Sequence, residues 1–329
     1  MEIGLWFWLG FNAFVLLMLA LDLGVFHRTS HEVSVKEAGT WSAVWVGLAL
    51  LFNAGLYWAW GAGPALQFLT GYLIEKSLSV DNIFVFVMLF SYFGIPAKYQ
   101  HRVLFWGILG ALVMRGAFIA AGAYMLQQFH WVVYIFGAVL VITGIKMARR
   151  VGEYDPDSNA VVKLLRRVLP LTPRLHGDRF WIREGTRRLA TPLFLVLLLV
   201  ELADLVFAID SIPAIFAVTQ EPFLVYTANV FAILGLRSMY FLLAGVVHRF
   251  VYLKYGLAAV LVFVGAKMLL VDLVKVPVTV SLGVIATLIG GAILASLRAT
   301  AGHTTHPSGG GPGDPPASYA RTPDPLGGA

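Results

Sequence analysis

The chain contains no cysteine among its 329 residues. Disulfides, iron–sulfur clusters and thiolate metal sites are therefore excluded. Charge is scarce too: 13% of residues are Asp, Glu, Lys or Arg, where a soluble domain carries about 25%. With 59% hydrophobic residues, the chain lacks the polar surface to face water and reads as a polytopic membrane protein. No Walker-type GxxxxGK[ST] occurs, so ATP is not the evident energy source. No His-rich cluster, serine-nucleophile motif or cofactor fingerprint occurs either. An enzyme is not expected, nor a permanently bound cofactor. The formal net charge of +6 is spread over connecting segments, so the expected surroundings are a lipid bilayer and not nucleic acid. The opening MEIGLWFWLG has no positive n-region and no small-residue cleavage site ahead of Asp22. It reads as a retained first span.

What is present is a series of apolar runs long enough to cross the hydrocarbon. They fall near 4–26, 41–60, 64–93, 103–126, 131–148, 191–220, 224–247, 255–272 and 278–297. The third and sixth are long, and either tilt strongly or consist of two half-helices with a break. Lys and Arg alternate between connections. Arg28, Lys36, Lys98, Arg102, Arg249, Lys254 and Arg298 lie on one side, as does the 149–188 segment with ten basic and five acidic residues. The connections at 60–63, 127–130 and 220–223 have none, and 273–277 has only Lys275. By the positive-inside rule, nine spans place the N-terminus outside and the C-terminus in the cytoplasm, in the cell (plasma) membrane. The fold expected is all-α: a transmembrane helix bundle over 1–300, with a basic cytoplasmic loop at 149–190 that holds a short interfacial helix near 161–169. The Gly/Pro-rich tail, 301–329, is expected to be disordered.

The runs repeat. A shift of 129 residues puts Glu75 on Asp204, Asp81 on Asp210 and Asn82 on Ser211. With small loop differences, Arg115 in LVMRGAF matches Arg237 in LGLRSMY, and Lys146 in ITGIKM matches Lys267 in FVGAKM. The units, about 64–148 and 191–272, have three spans each. An odd number of spans forces the two units to enter the membrane in opposite directions. Inverted repeats of this kind point to a transporter with its site between the halves.

The acids carry that site. Asp22, Glu75, Asp81, Glu201, Asp204 and Asp210 all fall in spans, and ionising all six would cost on the order of 15 kcal/mol or more. They must be protonated, paired, hydrated or metal-bound. The purely structural alternative is ion pairing with Lys76, Arg115, Arg237 and Lys267, and Asn82 or Ser211 taken alone could be interhelical glue. Glu75 and Asn82, seven apart, share a helix face about 10 Å along the axis, as do Asp204 and Ser211. Glu75 and Asp81 point about 120° apart on a regular helix. One ion reaches both only if the helix unwinds or other spans complete the site. Pro213 supplies a cause for a break in the second half, by freeing the carbonyl near Ile209. Oxygen donors suit manganese, calcium or magnesium, and the chain offers no thiolate and no imidazole within a span to select copper or zinc. Asp22, near a span end, is an interface anchor or a participant. Asn229 is a candidate oxygen ligand or a packing amide. Arg115 and Arg237 could balance charge when the site is empty, while Lys146 snorkels to the interface.

EKSLSVDNIFVF and DLVFAIDSIPAIFAVTQEPFLVYTANVFAILGLRSMYFLLA resemble the two signature regions of the TerC family of integral membrane proteins, a tellurium-resistance family that includes manganese exporters. The likeness covers roughly residues 5–297. It implies Mn²⁺ efflux from the cytoplasm, with Glu75, Asp81, Asp204 and Asp210 as motif acids, Asn82 and Ser211 beside them, and Asp22 as the first-span acid. Glu201 is not assigned by the motif and ranks lower. The function expected is a secondary transporter exporting a divalent metal in exchange for protons. The alternative is a membrane scaffold or stress-response (tellurite-resistance) protein without transport activity.

Overall fold

The computed structural model describes residues 4–24, 34–149, 164, 167, 169–172, 174–184, 187–244, 250 and 252–301. Helices dominate, in the order α1 (Leu5–Gly24), α2 (Val35–Trp60), α3 (Ala62–Tyr92), α4 (Ala97–Gln128) and α5 (Val132–Arg149). A hairpin of β1 (Trp181–Glu184) and β2 (Arg187–Ala190) follows. Then come α6 (Pro192–Phe216), α7 (Pro222–Leu234), α8 (Leu236–Leu243), α9 (Leu253–Leu269) and α10 (Val278–Ala301).

Local chemistry sets the ends. Ser34 caps α2 by accepting from the Glu37 amide at 3.2 Å, the first half of a Ser-x-x-Glu capping box. Gly61, at φ +84°, lets the chain turn between α2 and α3 with a single residue. Pro192 and Pro222 open α6 and α7, where a missing amide proton costs nothing.

Among the described residues, five helices (α2, α4, α5, α6 and α10) are long and apolar enough to cross a membrane, or six if α7 and α8 form one span bent by 41°. The chain is an all-α membrane protein apart from the hairpin. The nine expected apolar stretches all coincide with helix, yet not each meets that standard. α3 is long enough, at 31 residues, but carries Glu75, Lys76 and Asp81. Large apolar side chains point outward, among them Trp6, Leu16, Leu51, Trp58 and Leu294, as befits a surface that meets lipid.

Of the two readings of the long third and sixth runs, the half-helix break does not hold. α3 and α6 are continuous, with no half-helix break. Pro213 lies in the last turn of α6, so the carbonyl it frees is near the helix end, and nothing unwinds between Asp204 and Asp210. The bend falls instead at Gly235, between α7 and α8. The hairpin was also unforeseen. Most of the expected interfacial helix at 161–169, and all of the tail beyond Ala301, lie outside the described residues.

Two antiparallel helix pairs hold the centre. α3 crosses α6, with Gly71 facing Ile215 at one end and Asn82 reaching Asp204 at the other. α5 packs on α9 through glycine: a Cβ built on Gly265 would stand 2.7 Å from the Gly137 carbonyl oxygen, and one on Gly144 would stand 2.8 Å from that of Ala258. Small residues permit such backbone approach between membrane helices. Gly265→Leu is therefore expected to destabilise the protein by at least about 1–3 kcal/mol through overpacking. Thermal unfolding in detergent checks it, and a melting temperature equal to wild type would remove this contact from the structural account.

Candidate functional site

The buried polar core forms where α3, α4 and α6 meet. Glu75 and Asn82 come from α3, Arg115 from α4, and Asp204 and Ser211 from α6. Each is at most 3% exposed. Arg115 is the centre. Its Nε and Nη2 donate to the two oxygens of Asp204 at 2.9 and 2.7 Å, a bidentate fork. Its Nη1 donates to Glu75 Oε1 and lies 3.5 Å from Ser211 Oγ. Asn82 Nδ2 donates to Asp204 Oδ1 at 3.4 Å. One permanent cation thus faces two carboxylates, one from α3 and one from α6.

The arrangement follows from helix periodicity. Glu75 and Asn82 share a face of α3, as do Asp204 and Ser211 on α6, and these faces oppose each other across the antiparallel crossing. Asp210, six residues beyond Asp204, points elsewhere: Thr143 Oγ1 on α5 donates to its Oδ1 at 2.9 Å. The side chains of Asp22 and Asp81 lie outside the described ones. Glu201 is half-buried against α4, where a Cβ on Gly110 would fall 2.1 Å from its carboxylate oxygen. Only a glycine leaves that carboxyl its place.

Several polar atoms in this region are buried without a hydrogen-bond partner: Glu75 Oε2, Asn82 Oδ1, the Tyr72 hydroxyl and both amide atoms of Asn229. Buried polar atoms left so are costly unless water or an ion meets them. Asn229 lies on α7. Ile233, one turn further along α7, and Ala111, one turn before Arg115, both border a small cavity that touches Asp204 and Arg237. That cavity measures ≈ 10 Å³, about room for one water.

Among the described residues no three acidic or imidazole side chains are close enough to hold a metal between them. What converges is two carboxylates with amide and hydroxyl oxygens, and a guanidinium holds the carboxylates. Of the other cations offered for a structural pairing, Arg237 borders the cavity beside Asp204, and the two lysines go elsewhere. Lys76 Nζ approaches the Ala232 carbonyl at 3.5 Å, and Lys267 Nζ donates to Ser281 at 3.1 Å. Sequence reasoning missed Thr143 and Tyr72. Thr143 had a faint signal, a hydroxyl beside the repeated Gly-x-Lys-Met. Tyr72 had none, since a tyrosine in a span reads as bulk.

A chain of this architecture, with acids and an arginine buried between membrane helices, belongs among polytopic integral membrane proteins with an internal polar site. It is a member of the Integral membrane protein TerC family, which it matches over residues 60–304. It is 62% identical over 291 residues to "Uncharacterized membrane protein STKORF319" of Myxococcus xanthus, covering 88% of this chain and 91% of that one. It is 53% identical over 288 residues to the protein named "Putative membrane-bound redox modulator Alx" in Shigella flexneri and in Escherichia coli (strain K12), covering 84% of this chain and 90% of each. No solved structure matches significantly.

Proposed function

We propose that the chain is a secondary transporter that exports a divalent cation, Mn²⁺ first among the candidates, from the cytoplasm in exchange for protons. The observation that carries this reading is the convergence of Glu75 and Asp204, equivalent acids of two sequence-related units, on one buried site with spare oxygen atoms beside it. A dication and the Arg115 guanidinium compete for the same carboxylates. The ion binds when Arg115 withdraws, and Arg115 or protons neutralise the acids once it leaves. Asn82, Ser211 and Asn229 complete a hard-oxygen shell, with Asp81 and Asp210 further along the path and Glu201 one turn from Asp204.

The reading includes nine spans, an inverted repeat, an outer N-terminus and a cytoplasmic C-terminus. Helix packing supports the repeat. Matching helices run antiparallel, and their contacts are reciprocal: Gly144 meets Ala258 while Gly265 meets Gly137, and the sequence match pairs 144 with 265 and 137 with 258. Self-complementary contact of this kind is what a two-fold axis produces. The redox role in the name of the Alx relatives belongs to those proteins; a cysteine-free chain can take no such role through thiols of its own.

The test is metal-resolved efflux from proteoliposomes, with and without an imposed pH gradient. Wild type should move manganese and respond to the gradient, and the Glu75→Gln/Asp204→Asn double variant should lose most of that flux. Full flux in the double variant would remove the site assignment. No flux in wild type would remove transport and leave the scaffold reading.

A further inference from the structure

The β1–β2 hairpin takes no part in the chemistry above. Its register sets Trp181 against Ala190, Ile182 against Leu189, Arg183 against Arg188 and Glu184 against Arg187. Side chains alternate between the faces of a strand, so Trp181, Arg183 and Arg188 share one face. Ile182 and Leu189 occupy the other face and are half-buried, whereas Arg183 and Arg188 are exposed. Like charges directly opposite each other in an antiparallel pair are destabilising. Among the described residues neither guanidinium has a carboxylate partner. Glu184 stands on the opposite face, and Asp178 is taken by Arg102.

The hairpin is also pinned at a definite depth. β2 ends two residues before α6 begins, and the Trp181 ring packs on Phe194 in the first turn of α6, with centroids 4.6 Å apart. Arg102, near the start of α4, pairs with Asp178 and lies over the Phe180 ring at 5.1 Å. Two apolar helices therefore enter the membrane directly beneath the hairpin. Tryptophan at such a boundary sits at headgroup level, and basic side chains at that level meet lipid phosphates.

We propose that the face bearing Trp181, Arg183 and Arg188 binds the phosphodiester headgroup of an anionic phospholipid. A phosphate between the two guanidiniums accepts hydrogen bonds from both and turns their mutual repulsion into shared attraction. The Trp181 ring, 45% exposed, borders the same headgroup from the membrane side. The occupant is a lipid and not a soluble anion because the face is tethered where α4 and α6 start.

The full chain in nanodiscs tests this, and its lack of cysteine allows one label. Glu184→Cys, on the far face, carries a fluorophore, and nitroxide-headgroup phosphatidylglycerol or phosphatidylcholine quenches it. Several-fold stronger quenching by the phosphatidylglycerol probe is expected. R183Q/R188Q should abolish that preference and R183K/R188K should keep most of it, which separates charge from hairpin folding. Inorganic phosphate in the buffer should change nothing. An undiminished preference in R183Q/R188Q, or its removal by inorganic phosphate, would overturn the proposal.

Discussion

Arg115→Met should destabilise the folded protein by about 3–5 kcal/mol, the cost of leaving buried charge without its partner. Two carboxylates, not one, depend on this guanidinium, and each is nearly inaccessible to water. The fork on Asp204 and the third contact to Glu75 cannot be replaced by lysine, whose ammonium is a point donor without a planar fork. Arg115→Lys should therefore recover only part of the loss. The decisive comparison is the triple variant Arg115→Met/Glu75→Gln/Asp204→Asn. Removing all the charges together should restore much of the stability, because well-packed neutral replacements of buried ion pairs are often neutral or better. Thermal unfolding in detergent measures all three. If the triple variant melts as low as Arg115→Met, electrostatic pairing is not what holds this crossing together.

A second large effect concerns the ion. If manganese and Arg115 compete for Glu75 and Asp204, manganese at about 100 times its dissociation constant should stabilise the wild-type fold by about 2.7 kcal/mol, the linkage expected for a ligand of the native state alone. In the Glu75→Gln/Asp204→Asn variant that shift should fall to about 1.4 kcal/mol or less, since its affinity should drop at least roughly 10–100-fold, as it does for loss of even an outer-shell partner. Calcium and magnesium run alongside rank the candidates without any assumption about coupling. An unchanged manganese shift in the variant would place binding elsewhere in the chain. This experiment is independent of flux, so a protein that binds but does not transport would still be recognised.

Much of the architecture could be read before any coordinates. The apolar runs coincide with helices because hydropathy reports the solvent each segment requires, and that is a local property. The seven-residue spacing of Glu75 with Asn82, and of Asp204 with Ser211, placed each pair on one helix face, and the tertiary fold turned those faces toward one another. The 120° divergence read for Glu75 and Asp81 applies equally to Asp204 and Asp210, which share that six-residue spacing and meet different helices. The break was misplaced. Pro213 offers a cause for a break in the second half, but it stands so near the end of α6 that the helix has little left to lose. The bend arises at Gly235, where the Lys76 ammonium would lie 2.7 Å from a Cβ, a crowding that no local pattern reveals. The hairpin escaped notice because two four-residue strands amid arginines resemble any basic loop.

By itself the sequence determined that this protein lives in a bilayer, that helices build it, and that acids sit where acids are expensive. Only the tertiary structure decided which group answers those acids. Arg115 lies 40 residues from Glu75 and 89 from Asp204, and several cations were equally available along the chain. Coulomb attraction depends on distance in space and on the local dielectric, and neither is written in the order of residues. The crossing of α3 and α6 beside α4 sets both.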